Sequence, residues 1–274
     1  MKYIYVAGLE HSGTTLINHL LAQHPKALGL GEISSYFDSG HMQQYIKKWG
    51  DYPDVRLCSC GSDWDDCSFW GDIKKLNGLI SESPIKEKYK GLIHYIETKY
   101  EQDKIIFDSS KRFDIYRTLS RHREEVGIRK KDFLVVMMVK DVRNFTASIH
   151  SKQEAKRSLL AYWRTFNWWY RENRSLLEYL ENHDLKFVTV LYENLCNQPE
   201  ETVNSIFNYF GVSAINELDL GHGNSHIAMG NKDFVMRNRE RICYDRRWFL
   251  EDGIQSVYLF SGKVRHFNKR LYQF

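Results

Sequence analysis

The chain has 274 residues, 42% hydrophobic and 27% charged, with a formal net charge of +4 at pH 7. That length supports one substantial core, and the balance is that of a folded globular protein. The charge is too mild, and the basic runs from Arg121 to Lys131 and from Arg237 to Arg247 too interleaved with Glu and Asp, for a nucleic-acid-binding domain, although a small positive excess suits a polyanionic small ligand. No window approaches the roughly 18 uninterrupted apolar residues of a membrane helix. Cleaving the N-terminus as a signal peptide would delete the first strand and the loop after it, so a cytoplasmic protein without membrane association is expected.

The first strand-like run, Tyr3 to Ala7, leads into Gly8-Leu9-Glu10-His11-Ser12-Gly13-Thr14-Thr15 and then an apolar-periodic helix carrying Leu16, Ile17, Leu20 and Leu21. A strand feeding a Gly-rich turn into a helix N-terminus aims backbone N–H groups and the positive helix end at one point, a seat for an anion. Thr14 stands where a nucleotide-hydrolysing loop carries its Lys, so the anion is handled without bound ATP and magnesium. Next comes LLAQHPKALGLGE, from Leu20 to Glu32, and an insertion from about Asp38 to Tyr100, expected to shape an acceptor pocket. It contains Cys58, Cys60 and Cys67. Five cysteines without secretory context make a disulfide framework improbable, and three thiols with no clear fourth ligand fall short of a closed zinc site, so a compact Gly-rich loop without metal is expected.

Further strand-like runs lie at Lys104 to Phe107, Phe133 to Val139 and Lys186 to Leu191, followed respectively by Asp108-Ser109-Ser110-Lys111, by Lys140-Asp141-Val142-Arg143, and by Tyr192-Glu193-Asn194-Leu195. Helical periodicity fills the gaps, including Glu154 to Asn182, whose aromatic residues mostly read as core. The pattern predicts a single α/β domain over residues 1–274: a P-loop-like three-layer fold whose central, mainly parallel sheet is flanked by helices. Ligands of such sheets bind at the carboxyl ends of the strands, where all these motifs fall.

The Ser-Gly-Thr-Thr loop, the His-Pro and Gly-Glu sequence, Val139 to Arg143 with Ser148, Leu191 to Leu195 with Pro199-Glu200-Glu201-Thr202, and Ser225-His226 with Gly230-Asn231 and Arg237 occur in the order found in sulfotransferases. The chain resembles that family from Val6 to about Arg247. Cys58 to Trp70 is similar to a Cys-x-Cys-Gly and Cys-x-Phe-Trp insert of some bacterial members, which assigns it no role. The resemblance implies transfer of a sulfuryl group from 3′-phosphoadenosine 5′-phosphosulfate (PAPS) to a hydroxyl or amine of a small-molecule, glycan or peptide acceptor, leaving adenosine 3′,5′-bisphosphate, with no metal required.

On that resemblance His11, Ser12, Gly13, Thr14 and Thr15 hold the 5′-phosphosulfate, and His11 stands where the family usually has Lys or Arg to steady the leaving oxygen. Lys111 could supply the fixed positive charge that His11 lacks. Glu32, 21 residues after His11, matches the general base of the tyrosylprotein branch, with His24 as rival. Lys140 and Ser148, eight apart, take the 3′-phosphate; Lys replaces the usual Arg there, Arg143 is the residue placed to compensate, and a register using Arg143 and Ser151 is equally spaced. Tyr192 lies near the adenine or phosphates, and Gly230, Asn231 and Arg237 belong to a loop closing over the cofactor. Two other readings are open: a P-loop kinase, disfavoured by the absent Lys, and a PAPS- or bisphosphate-binding protein without activity.

Overall fold

A computed structural model describes residues 1–50, 54–77, 83–100, 103–111, 113–151, 158–218, 225–231 and 242–272. Its centre is a sheet of five parallel strands: β1 (Lys2–Gly8), β2 (Ala27–Gly31), β3 (Ile105–Lys111), β4 (Phe133–Val139) and β5 (Phe187–Leu191). They lie in the order β2-β3-β1-β4-β5, so the first strand is central. Successive side chains of a strand point to opposite faces, and here both faces are buried. Tyr3, Tyr5 and Ala7 of β1 with Phe133, Val135 and Met137 of β4 enter one core. Ile4, Val6, Leu134, Val136 and Met138 enter the other.

Helices α1 (Thr14–Leu21) and α10 (Pro199–Tyr209) cover the second face, supplying Leu20, Leu21, Val203 and Phe207. The first face is covered by α5 (Ile85–Lys99) and α8 (Leu159–Asn182). Against α8 pack two C-terminal helices, α11 (Asp252–Phe260) and α12 (Gly262–Leu271). The remaining helices are α2 (Ile33–Phe37), α3 (Ser39–Trp49), α4 (Trp70–Asn77), α6 (Phe113–His122), α7 (Val142–His150) and α9 (Tyr192–Asn197). The α/β fold with a flanked parallel sheet is therefore as expected, and four strands fall where the sequence put them.

The differences are informative. β2 is a strand where the sequence suggested only a passage from helix to Gly-Glu, because ALGLG lacks the β-branched and aromatic residues that mark strands. Gly29 is demanded by packing: a Cβ there would lie 2.7 Å from that of Ala22 and 3.3 Å from that of Ser225. The free edge of β2 is covered by the segment at Ser225, bridged to Gly29, with His226 N–H donating to Gly29 O at 2.7 Å. Asp108 to Lys111 lie within β3, not after it. The 38–100 insertion is partly core, since α5 buries Leu92, Ile93 and Ile96. On α8, Phe166 and Trp169 are buried as anticipated, whereas Leu159, Leu160 and Trp163 are more than half exposed.

Candidate functional site

The loop between β1 and α1 is held open by two left-handed residues, His11 (φ 66°) and Gly13 (φ 91°). Gly13 also lacks room for a side chain: a Cβ would stand 2.6 Å from the ring of Tyr192. Ile17 N–H is the first to bond back into α1, to Gly13 O at 3.0 Å, which leaves the first-turn amides facing the loop. No acidic residue opposes an anion in that turn. Ser12 Oγ is buried without a hydrogen-bond partner. A buried hydroxyl left unpaired is costly, and a bound anion at this loop would satisfy it. Thr14 and Thr15 are buried at the start of α1, and Thr15 Oγ1 receives the N–H of Asn231 at 3.5 Å.

Lys140, at the end of β4, is only 4% exposed. Its Nζ donates to Ser148 Oγ at 2.9 Å and sits 4.1 Å from the centre of the Tyr192 ring. No carboxylate pairs with it among the described residues. Burial pushes its pKa down to about 8, against the pull of Asp245 and Glu193. Trp169 Nε1 donates to its carbonyl at 3.0 Å and fixes its backbone. Of the two equally spaced registers, the structure brings Lys140 to Ser148. Arg143 instead clamps Asp141 through Nε at 2.9 Å and Nη2 at 2.8 Å and stacks on Trp248 and Tyr258, while the Ser151 hydroxyl donates to Ser148 O.

Glu32 follows β2 and Lys111 ends the neighbouring β3 in a left-handed conformation, φ 62°. Strand pairing brings them together: Lys111 Nζ donates to Glu32 Oε1 at 2.6 Å, both side chains being largely buried. Asp108 organises this strand end, accepting from Tyr3 Oη at 2.8 Å, Tyr89 Oη at 2.9 Å and the N–H of Ser110 at 2.9 Å. Desolvation raises its pKa to about 6 despite those bonds. His11 keeps part of its ring accessible, yet desolvation lowers its pKa; Glu10 opposes that, and Lys111, Lys140 and Lys48 reinforce it.

The segment 225–231 lies beside the loop. Glu32 N–H donates to Met229 O at 3.4 Å, Tyr45 Oη to Gly230 O at 3.0 Å, and Gly230 packs on Thr15. Arg237 lies outside the described residues. His24 is committed elsewhere: Lys26 N–H donates to its Nδ1 at 3.1 Å, so the proton is on Nε2, which bonds Ser213 Oγ at 3.2 Å.

Three roles escaped the sequence reading. Glu193 of the Tyr-Glu-Asn-Leu motif accepts from the N–H of Asp141 at 3.3 Å and from the Tyr272 hydroxyl, bracing the turn that carries Lys140. Asn173 leaves a buried Oδ1 unpaired and lines, with Gly8, Leu9, Lys111 and Glu172, a small cavity of about 40 Å³ beside the loop. His226 brings its ring to Cys67, with Nδ1 3.3 Å from Sγ, and supplies the fourth ligand-type side chain that the three thiols lacked in the sequence reading. Nothing local marks the last, because 159 residues separate the partners. The larger cavity, about 530 Å³ beside Lys130, Lys131 and Asp184, touches none of the motif residues.

The fold, with these motifs at its strand ends, is that of sulfotransferase domains. The sulfotransferase domain of the olefin synthase from Synechococcus PCC 7002 superposes with a TM-score of 0.52 at 16% identity over 95% of this chain and 94% of that one. The sulfotransferase domain of the curacin biosynthetic pathway gives a TM-score of 0.52 at 14% identity over 94% and 96%. No protein-family model matches the sequence, and no curated protein matches it.

Proposed function

We propose that this protein is a PAPS-dependent sulfotransferase acting on a hydroxyl or amine. The observation that carries the reading is Lys140. A buried ammonium that no carboxylate pairs with among the described residues, hydrogen-bonded to Ser148 and adjoining a loop with an unpaired Ser12 hydroxyl, suits an anion with two phosphate positions. A nucleotide bearing both a 3′-phosphate and a 5′-phosphosulfate meets both demands. The sheet's carboxyl edge is the place for such a ligand, and Thr14 in place of the kinase Lys argues against ATP.

PAPS, when bound, supplies the sulfuryl group. The first-turn amides of α1, with Ser12, Thr14 and Thr15, hold its 5′ end; Lys140 and Ser148 hold the 3′-phosphate; Tyr192 and Gly230-Asn231 flank it. Glu32 takes the proton of the acceptor as its oxygen or nitrogen attacks sulfur. His11 and Lys111 face the negative charge that develops on the departing phosphate oxygen. Desolvation lowers the pKa of His11 in the free protein, and a polyanion beside it would raise it toward the charged form.

Calorimetric titration tests the binding half of this proposal. Adenosine 3′,5′-bisphosphate should bind without magnesium, and ATP with magnesium should not compete. Preference for ATP with magnesium would refute the assignment, and binding without turnover over an acceptor panel would leave a nucleotide-binding protein.

A further inference from the structure

The side chains of Cys58, Cys60, Cys67 and His226 converge, with their ligand atoms all within 4.8 Å of one another. The Sγ atoms of Cys60 and Cys67 are 3.6 Å apart, those of Cys67 and Cys58 3.7 Å, and Cys67 Sγ lies 3.3 Å from His226 Nδ1. Those separations can be compared with a tetrahedron. Zinc bonds of about 2.3 Å to sulfur and 2.0 Å to nitrogen at the tetrahedral angle require S···S edges of about 3.8 Å and S···N edges of about 3.5 Å. Three of the six edges, 3.6, 3.7 and 3.3 Å, match to within about 0.2 Å, and the other three are no longer than 4.8 Å. A disulfide would need sulfurs about 2.05 Å apart, and all three cysteines are free.

Cys58 N–H donates to Ser62 O at 2.8 Å, closing a tight turn around the left-handed Gly61 (φ 90°). His226 is oriented from three sides: its N–H bonds Gly29 O, its carbonyl accepts from Trp70 Nε1 at 2.5 Å, and its ring stacks on Phe69 at 5.5 Å. The backbone bonds fix the segment, and the stack on Phe69 orients the ring toward Cys67. The pairs Ser59 N–H to Ile227 O and Ile227 N–H to Ser59 Oγ join the same two segments.

We infer that Cys58, Cys60, Cys67 and His226 form a structural Cys₃His zinc site. It closes four ligands with no open position, so it stabilises structure rather than activating water. Its mechanical effect is to fasten the loop 57–70 to the segment 225–231, which in turn contacts Glu32, Tyr45 and Thr15. The inference stands on the ligand geometry and does not depend on the sulfotransferase reading.

Elemental analysis of the wild-type protein, purified without chelators or a histidine tag, should find about one zinc per chain. Titration with a mercurial reagent should release that zinc in step with thiol modification. Cys67→Ser and His226→Ala should lower zinc content to near none, while Cys196→Ser and Cys243→Ser retain it. Replacement by Co²⁺ should give the visible bands of tetrahedral cobalt with thiolate charge transfer, a readout on the wild-type chain that holds even if the Cys67 variant fails to fold. Wild-type protein from zinc-supplemented cells that carries no zinc, carries iron instead, or shows a disulfide among Cys58, Cys60 and Cys67 would overturn the proposal, as would full zinc retention in His226→Ala.

Discussion

Lys140 is held in a state that folding alone disfavours. Its pKa falls from the ordinary lysine range to about 8 because burial penalises the charged form more than Asp245 and Glu193 favour it. A lysine depressed in the native state destabilises the fold at pH below about 8, and the penalty fades as pH rises from there toward the unfolded value of about 10.4. Lys140→Met should therefore stabilise the protein at pH 7, by an amount on the order of 2–4 kcal/mol, while abolishing measurable affinity for adenosine 3′,5′-bisphosphate. Denaturant unfolding and calorimetry on the same variant check both; a less stable variant that still binds would contradict the role. In the wild type, affinity for the bisphosphate should weaken above pH 8 as the ammonium is lost, by up to about tenfold per unit, and Lys140→Arg should remove that limb. At Glu32 the expected outcome is kinetic. Glu32→Gln keeps the shape and an acceptor for Lys111 but removes basicity, so turnover should fall by about 10²–10⁴ with donor affinity unchanged.

Among the elements, β2 and the segment that covers it show what a sequence conveys and what it does not. Strands β1, β3, β4 and β5 were legible because runs such as Phe133 to Val139 are apolar throughout, as a strand buried on both faces must be. β2 was not, because close approach of Ser225 and Ala22 selects glycine over strand-forming residues. The same division holds in the site. The spacing of Lys140 and Ser148, a strand end and the helix after it, could be read locally, but Arg143 and Ser151 were equally spaced and only the structure separates the two registers. The Glu32–Lys111 bond and the approach of His226 to Cys67 depend on strand order and on a chain reversal that no local pattern encodes. Gly31 offers a direct test of the covering segment. It has φ 71°, and a Cβ there would lie 2.8 Å from Met229 O and from Ile227 Cγ2. Gly61 has φ 90° with nothing within 4 Å of a Cβ. Gly61→Ala should cost about 1–2 kcal/mol from backbone strain alone. Gly31→Ala should cost more and also weaken bisphosphate binding, because Gly230 and Asn231 move with Met229. Equal unfolding midpoints for the two variants would argue against that packing.

At the scale of the whole molecule, the site is assembled from the ends of β1, β2, β3 and β4 and from a segment near residue 230, so a ligand bound there ties separate parts of the chain together. A ligand that binds only the native state adds roughly 2.7 kcal/mol at a hundredfold excess over Kd, and a rise in melting temperature with bisphosphate is the corresponding expectation. The Glu32–Lys111 ion pair adds a constraint of another kind. In the free protein the Glu32 carboxylate accepts from the Lys111 ammonium at 2.6 Å through Oε1. On the proposed reading an incoming phosphosulfate would draw that ammonium away and leave both carboxylate oxygens open, whereas an acceptor that arrives first would meet the ion pair. The reaction should accordingly follow a compulsory sequence, nucleotide before acceptor, with a dead-end acceptor analogue inhibiting uncompetitively against the donor. Lys111→Met, which frees Glu32 at the outset, should turn that pattern toward random addition.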